Sequence, residues 1–262
     1  MTGNNRRGIV LQERDRHLLT ELAVMRIIDR EQAKRVAGFG STTRANTRLL
    51  ALVRAGLLRR FFIGTTGRAT KALYALARAG AELVGVPYRG LRRGSEETLV
   101  ADYFVHHQLS VNDLYCLMKY QPLPVTDAKF SRWLSFYEPI EPGSALIPDG
   151  YAEVTIAAKV VPMFIEVDLG TESQLVWKRK VEAYLRYAVS GKFQHQFQHP
   201  QFRVLVVASS ERRVASLRAA TAELTDKIFW FATFEGVKTN GFWSPLWQRP
   251  KNDRRQALLS LP

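Results

Sequence analysis

Four residues have types and spacing that could do chemistry together: Asp149, Glu166, Asp168 and Lys180. The first three fall in the stretch IPDGYAEVTIAAKVVPMFIEVDLGTES, residues 147–173. Residues i and i+2 of a strand point the same way, so Glu166 and Asp168 share one face. A hairpin turning around Ala158 to Val161 brings Asp149 to the same end of the sheet. Three ionised carboxylates held together raise one another's pKa unless a cation offsets them. Mg²⁺ suits such a set, since it takes oxygen ligands and is commonly held by one or two carboxylates plus a substrate phosphate. Mn²⁺ is the other candidate. Asp149, Glu166 and Asp168 are therefore the expected metal ligands. Lys180 lies four residues before Tyr184, on the same side of the following helix, where it could offset charge developing on a phosphoryl group. The metal would polarise the phosphoryl oxygen and activate a water. The plain alternative is a surface hairpin whose acids pair with Lys178, Arg179 or Lys180.

The elements that must position these residues follow from periodicity. EETLVADYFVHHQLSVNDLYCLMKY (96–120) reads as a long helix. SRWLSFYEP, ALIPDGYAEVTIAA and VVPMFIEVDLG read as three strands, the last two a hairpin. TESQLVWKRKVEAYLRYAVSG follows as a helix, with Thr171 as candidate cap and Gly191 as stop. FRVLVVASS is apolar throughout, as a strand buried on both faces would be. ERRVASLRAATAEL is a helix and KIFWFATF a final strand. His195 and His199 stand in QHQFQHP, where Pro200 and Gly191 predict a loop rather than a helical metal pair.

Composition bounds the function classes. The chain has 262 residues, 46% of them hydrophobic and 24% charged, ordinary values for a globular protein. One cysteine, Cys116, excludes an internal disulfide and a Cys-based zinc site. The opening MTGNNRRGIV lacks the apolar core of a signal peptide, and no apolar run reaches the roughly 18 residues of a membrane span. A cytoplasmic protein is expected. No GxxxxGK[ST] string occurs, which argues against a P-loop nucleotidase. The net charge of +14 is unevenly spread: residues 1–95 hold 19 Lys+Arg against 6 Asp+Glu, residues 96–262 hold 19 against 18. A basic segment joined to a near-neutral one predicts an anion-binding module, with nucleic acid the leading polyanion.

The first third has the element order such a module needs. QERDRHLLTELAVMRII places Leu18, Leu22 and Met25 at helical spacing. DREQAKRVAG opens with Asp29 and Gln32 at capping-box spacing and ends at Gly38. STTRANTRLLALVRAG runs from a Ser41 cap to Gly56. LLRRFFI and KALYAL then form a hairpin across GTTGRAT, followed by the helix ARAGAELVG. Three helices and a hairpin predict a winged helix-turn-helix over residues 10–88. GVPYRGLRRGS is a linker, and a second domain spans residues 96–262. On the third helix Ala45, Leu49, Leu52 and Val53 face the core, leaving Thr43, Arg44, Thr47 and Arg48 toward the major groove of duplex DNA. Arg bonds guanine edges bidentately, and Thr packs on a thymine methyl. Arg68 at the hairpin tip could enter the minor groove, and Lys71 opens the returning strand as a further DNA contact.

PDG, then FIEVD, a helix with KVEAY, and the strand FRVLVV resemble the PD-(D/E)xK restriction-endonuclease-like fold. The usual pattern is Asp, then Glu-x-Lys; here Asp149 and Glu166 match, Asp168 replaces the strand lysine, and Lys180 offers one from the next helix. The order of ERDRHLLTEL, AGLLRRF, YALARAGAEL, HHQLSVNDL, FIEVDLGTES and FRVLVV, over roughly residues 10–235, resembles the replication-relaxation family, which includes MobC-type relaxases of mobilisable plasmids. The resemblance implies an α+β chain, a winged helix followed by a nuclease-like domain. It further implies binding and metal-dependent nicking of origin DNA on a plasmid or mobile element. Relaxosome proteins and a second copy of the chain are the implied protein partners. A non-catalytic DNA-binding accessory or regulator, with a degenerate nuclease-like domain, is the other reading.

Overall fold

A computed structural model describes residues 9–64, 70–88 and 98–259, with the side chains of residues 98–103 outside the description. The chain divides into two compact units, Met1–Cys116 and Leu117–Pro262. Both mix helices and sheets, so the chain is α+β.

In the first unit α1 (Glu13–Met25), β1 (Ile27–Asp29), α2 (Arg30–Ala37) and α3 (Thr42–Arg54) precede the hairpin β2 (Leu58–Gly64) and β3 (Thr70–Leu76). α4 (Arg78–Leu83) and α5 (Thr98–Tyr120) follow. The caps are those the sequence signals. Asp29 and Gln32 form a reciprocal capping box, Gly38 ends α2 in the left-handed region, and Ser41 Oγ accepts from the Arg44 amide. Sequence periodicity does not reveal β1, because three residues are too few for a pattern. It pairs with β3 and makes the sheet three-stranded, in the order β1-β3-β2.

The boundary between units falls within α5 rather than in the linker before it. The reason is a set of hydrogen bonds from α5 to the helices ahead. Asn112 Nδ2 donates to the carbonyls of Met25 (3.0 Å) and Ile27 (2.6 Å). Gln32 Nε2 donates to Leu109 O and Asp113 Oδ1, both at 2.8 Å, and Tyr115 donates to Glu21 at 2.5 Å. Leu109 joins Ile27, Ile63, Leu73 and Ala75 in one apolar cluster under the sheet.

The second unit is built on a seven-stranded sheet ordered β10-β9-β8-β7-β6-β5-β4. Its elements are β4 (Ala128–Leu134), β5 (Gly150–Ile156), β6 (Lys159–Asp168), α6 (Gln174–Val189), α7 (Lys192–Phe197), β7 (Arg203–Ala208), α8 (Glu211–Ala222), β8 (Phe229–Thr233), α9 (Phe234–Asn240), β9 (Trp247–Arg249) and β10 (Asn252–Gln256). β4, β5 and β6 run antiparallel, while β6, β7 and β8 run parallel. Three expectations shift here. The first strand begins at Ala128 rather than Ser131, Ser173 rather than Thr171 caps α6, and α7 forms where a loop is expected. Its helix buries Phe193 and Phe197, which is why Gly191 acts as a start rather than only as a stop. His195 lies within α7, and His199 lies just beyond it. α6 buries Trp177, Val181, Tyr184 and Tyr187, one stripe at helical spacing, against Phe164, Phe202, Phe229 and Phe231. That stripe fixes the direction in which Lys180 and Tyr184 point.

Candidate functional site

Asp149 sits at the start of β5, where its amide donates to Ile165 O at 3.2 Å and its Oδ2 accepts from the Val167 amide at 2.7 Å. The next residue, Gly150, lies so close to the Trp133 ring that a Cβ would come within 2.6 Å of it. A glycine is therefore required for β5 to begin here, and Asp149 is carried to β6 as a result. The hairpin brings Asp149 beside Glu166, as the spacing predicts.

Glu166 is 1% exposed. Its Oε1 accepts from the Tyr184 hydroxyl at 2.5 Å and its Oε2 from Lys180 Nζ at 3.0 Å. Lys180 also donates to Glu172 Oε1 at 3.0 Å. Burial, with Asp149 acting in the same sense, pushes the Glu166 carboxyl up to about 7 against the opposing pull of Lys180 and Tyr184. Burial disfavours the Lys180 ammonium, but Glu166, Asp149 and Glu172 override it and hold this group above its ordinary value. Burial and the facing Glu166 keep the Tyr184 phenol protonated far above its usual range. Asp149, Glu166 and Lys180 thus converge, joined by Tyr184, which the four-residue spacing from Lys180 points to, and by Glu172, which spacing alone does not select.

Asp168 differs from this expectation. It is buried, and its two oxygens accept from Arg213 Nε and one terminal nitrogen, both at 2.7 Å. Oδ1 also accepts from the Gly170 amide at 2.8 Å. Arg213 is anchored in turn on Glu172 O at 2.7 Å. A bidentate guanidinium and a backbone amide engage both oxygens, so Asp168 as folded is paired with Arg213 rather than with Lys180. Arg213 comes from the first turn of α8, 45 residues away, and no local signal in the sequence pairs it with Asp168.

The remaining donors also fail to fit a hard divalent cation as they stand. Both Glu166 oxygens accept a hydrogen bond, one Asp149 oxygen is held by a backbone amide, and the cation already among these acids is the Lys180 ammonium. Among the described residues no group of three or more His, Cys, Asp or Glu is arranged to hold a metal ion. His199 faces Glu153 at 3.5 Å, and Glu153 also takes Tyr151 and Arg132.

The DNA-facing candidates of the first unit divide in two. Thr43, Arg44 and Thr47 are exposed along α3, opposite buried Ala45, Leu49 and Leu52. Arg48 turns inward instead. Its Nε donates to Asp15 Oδ1 at 2.8 Å, a terminal nitrogen pairs with Asp15 Oδ2, and the same nitrogen donates to Val10 O at 2.6 Å. Asp15 is fully buried. Burial alone would raise its carboxyl, but Arg48 and the Gln12 amide hold it below its ordinary value. Arg48 as folded is therefore engaged as a structural anchor, unlike Arg44. Lys71 pairs with Asp29 at the cap of α2, which takes it out of the set of free cations. Arg68 lies outside the described residues. Arg54 is exposed three turns beyond Thr43 on the same side of α3, a residue that the 100° repeat could have selected.

With this geometry in hand, comparison with known proteins places the chain. The sequence profile described as replication-relaxation matches residues 19–199. The chain belongs to the replication-relaxation family. Membership in the replication-relaxation family points to a DNA-related role in replication or mobilisation. No curated protein matches the sequence. Among solved structures, Bacillus subtilis PadR in complex with operator DNA aligns at 12% identity and a TM-score of 0.22. The alignment covers 38% of this chain and 64% of that one, less than two thirds of PadR, and likeness at this level carries no fold argument. No helix among the described residues of this family member is long and apolar enough to cross a membrane.

Proposed function

We propose that the protein is a DNA-binding accessory of replication or mobilisation on a plasmid or mobile element, whose first unit grips duplex DNA at an origin region as a winged helix-turn-helix. The observation that carries this reading is the α3 face. Thr43, Arg44 and Thr47 stand exposed on it, and Arg44 makes no ion pair with any described residue. The segment around them, residues 1–95, holds 19 Lys+Arg against 6 Asp+Glu. A guanidinium left in water at the start of an exposed helix is free to bond a guanine edge. The second unit supports an accessory role because each of its gathered acids already has an internal donor.

Arg44→Ala should cost about 1–3 kcal/mol on a specific site and little on random duplex. Titration of a labelled origin fragment checks it, and equal loss on both DNAs would reduce Arg44 to a phosphate contact. Affinity should also fall linearly in log[salt], by about 0.9 per phosphate neutralised.

A second reading, a Mg²⁺- or Mn²⁺-dependent nickase with a PD-(D/E)xK-like second unit, has one observation in its favour. Asp149, Glu166 and Lys180 converge at the junction of β5, β6 and α6. The donor set as folded does not fit the cation. Supercoiled plasmid carrying the cognate origin decides between the two. The accessory reading expects no conversion to open circles with either metal. Conversion that is abolished by both Asp149→Ala and Glu166→Ala would replace it with the nickase.

A further inference from the structure

Phe62 is 58% exposed in the middle of β2, an unusual place for a large aromatic ring in a small sheet. The pairing explains why the described cross-strand neighbours leave it open. β2 is an edge strand, and the cross-strand partner of Phe62 is Ala72, too small to shield a ring. The next pair on the same face toward the hairpin tip is Gly64 with Thr70, which adds no apolar cover. On the other side along the same face stands Arg60, whose guanidinium carbon lies 5.0 Å from the centre of the Phe62 ring. Across the strand pair Arg60 faces Tyr74, its register partner on β3. Arg59, on the opposite face of β2, stacks on Phe61 in the same way, again at 5.0 Å. The strand LRRFFIG contains no acid.

We propose that Phe62 and Arg60 form a stacking platform for an unpaired base of single-stranded or locally melted DNA. The proposal rests on the reading of the first unit as a DNA-binding module. An exposed ring beside a pre-positioned guanidinium offers a base both a π-face and a cation. Bases inside an intact duplex are already stacked on each other and cannot use it without being pulled out. The occupant must therefore present the face of an unpaired base to the Phe62 ring, with Arg60 beside it as the cation. Charge complementarity favours a nucleic acid over a protein here, because the nearest charged groups on β2 are Arg59 and Arg60. Contact with α3 reads paired DNA, and this platform would hold the strand that leaves the duplex.

The test uses the full chain and two fluorescein-labelled probes: a fully paired origin duplex, and the same duplex ending in a fork with an oligothymidine arm. Anisotropy titrations should show the wild type binding the fork more tightly. Phe62→Ala should weaken fork binding about tenfold and paired binding less than about twofold, while Phe62→Trp keeps the fork preference. Unchanged thermal melting of Phe62→Ala establishes that folding is not the cause. The platform is overturned if the wild type shows no fork preference, if Phe62→Ala weakens both probes equally, or if it weakens neither. Wild-type binding to the paired duplex without a fork preference removes the platform alone. Failure to bind either probe removes the DNA-binding reading with it.

Discussion

The α3 face and the β6 site use the same kinds of residue to opposite ends. On α3, Thr43, Arg44 and Thr47 point into solvent, and the cation among them is left without an acidic partner in the described residues. At the β6 site each acid has an internal donor: Glu166 has Lys180 and Tyr184, Asp168 has Arg213, and Asp149, beside β6 at the start of β5, has the Val167 amide. The net charges of the units agree with this. Met1–Cys116 carries 19 Lys+Arg against 10 Asp+Glu, and the remainder carries 19 against 14. Arg44 and Arg48 repeat the contrast within one helix, four residues apart. Arg48 has buried Asp15 within reach and becomes a clamp, while Arg44 has none and stays free. What an arginine does is decided by whether the fold places a carboxylate within about 3 Å of it.

The largest effect that could break this contrast is expected at Asp168. Replacing it with Ala leaves the nearly buried Arg213 guanidinium without its bidentate partner and should cost about 3–4 kcal/mol of stability, read from chemical denaturation. A loss under about 1 kcal/mol would mean that the pair is screened like a surface bridge and that Asp168 is free for other work.

Next comes the pair on α3. Arg48→Ala strands buried Asp15 and should cost about 2–3 kcal/mol of stability. Arg44→Ala should change stability by less than about 0.5 kcal/mol, its effect being confined to DNA binding. Equal melting losses in the two variants would erase the distinction between clamp and reader.

An effect smaller than the loss of either clamp sharpens the acid site. The Glu166 carboxyl is raised from 4.5 to about 7, so the folded state holds a proton over that window that the unfolded chain has lost. Stability from this group is therefore greatest at low pH and falls as pH rises from about 5 to about 7, by on the order of 1–2 kcal/mol. Glu166→Gln removes the titrating group while keeping one acceptor oxygen, and should flatten that slope. A wild-type profile that rises over the same window would show that Lys180 holds Glu166 ionised throughout.

Much of the architecture was legible because it is local. Cap residues and hydrophobic period located α2, α3, α6 and α8, since those signals act within one or two turns. The convergence of Asp149 with Glu166 was legible too, because a hairpin register sets it. Short or weakly patterned pieces escaped: β1 has three residues, α7 has six, and β9 with β10 closes the sheet from a tail without alternation.

The sequence by itself determined a basic first third, a helix with a polar basic face, a carboxylate hairpin, and a helix that carries Lys180 toward it. Each follows from spacing along the chain, where 3.6 and 2 residues per repeat are all that is needed. Only the tertiary structure decided which of these charges remain available. Asp15 and Arg48 lie 33 positions apart, Asp168 and Arg213 lie 45 apart, and Lys71 meets Asp29 across the first sheet. A buried charge is stable only when paired, so the packing that buries Asp15 and Asp168 also consumes the cations nearest to them. Such pairings carry no periodicity in the chain, and it was they that gave each gathered acid an internal donor.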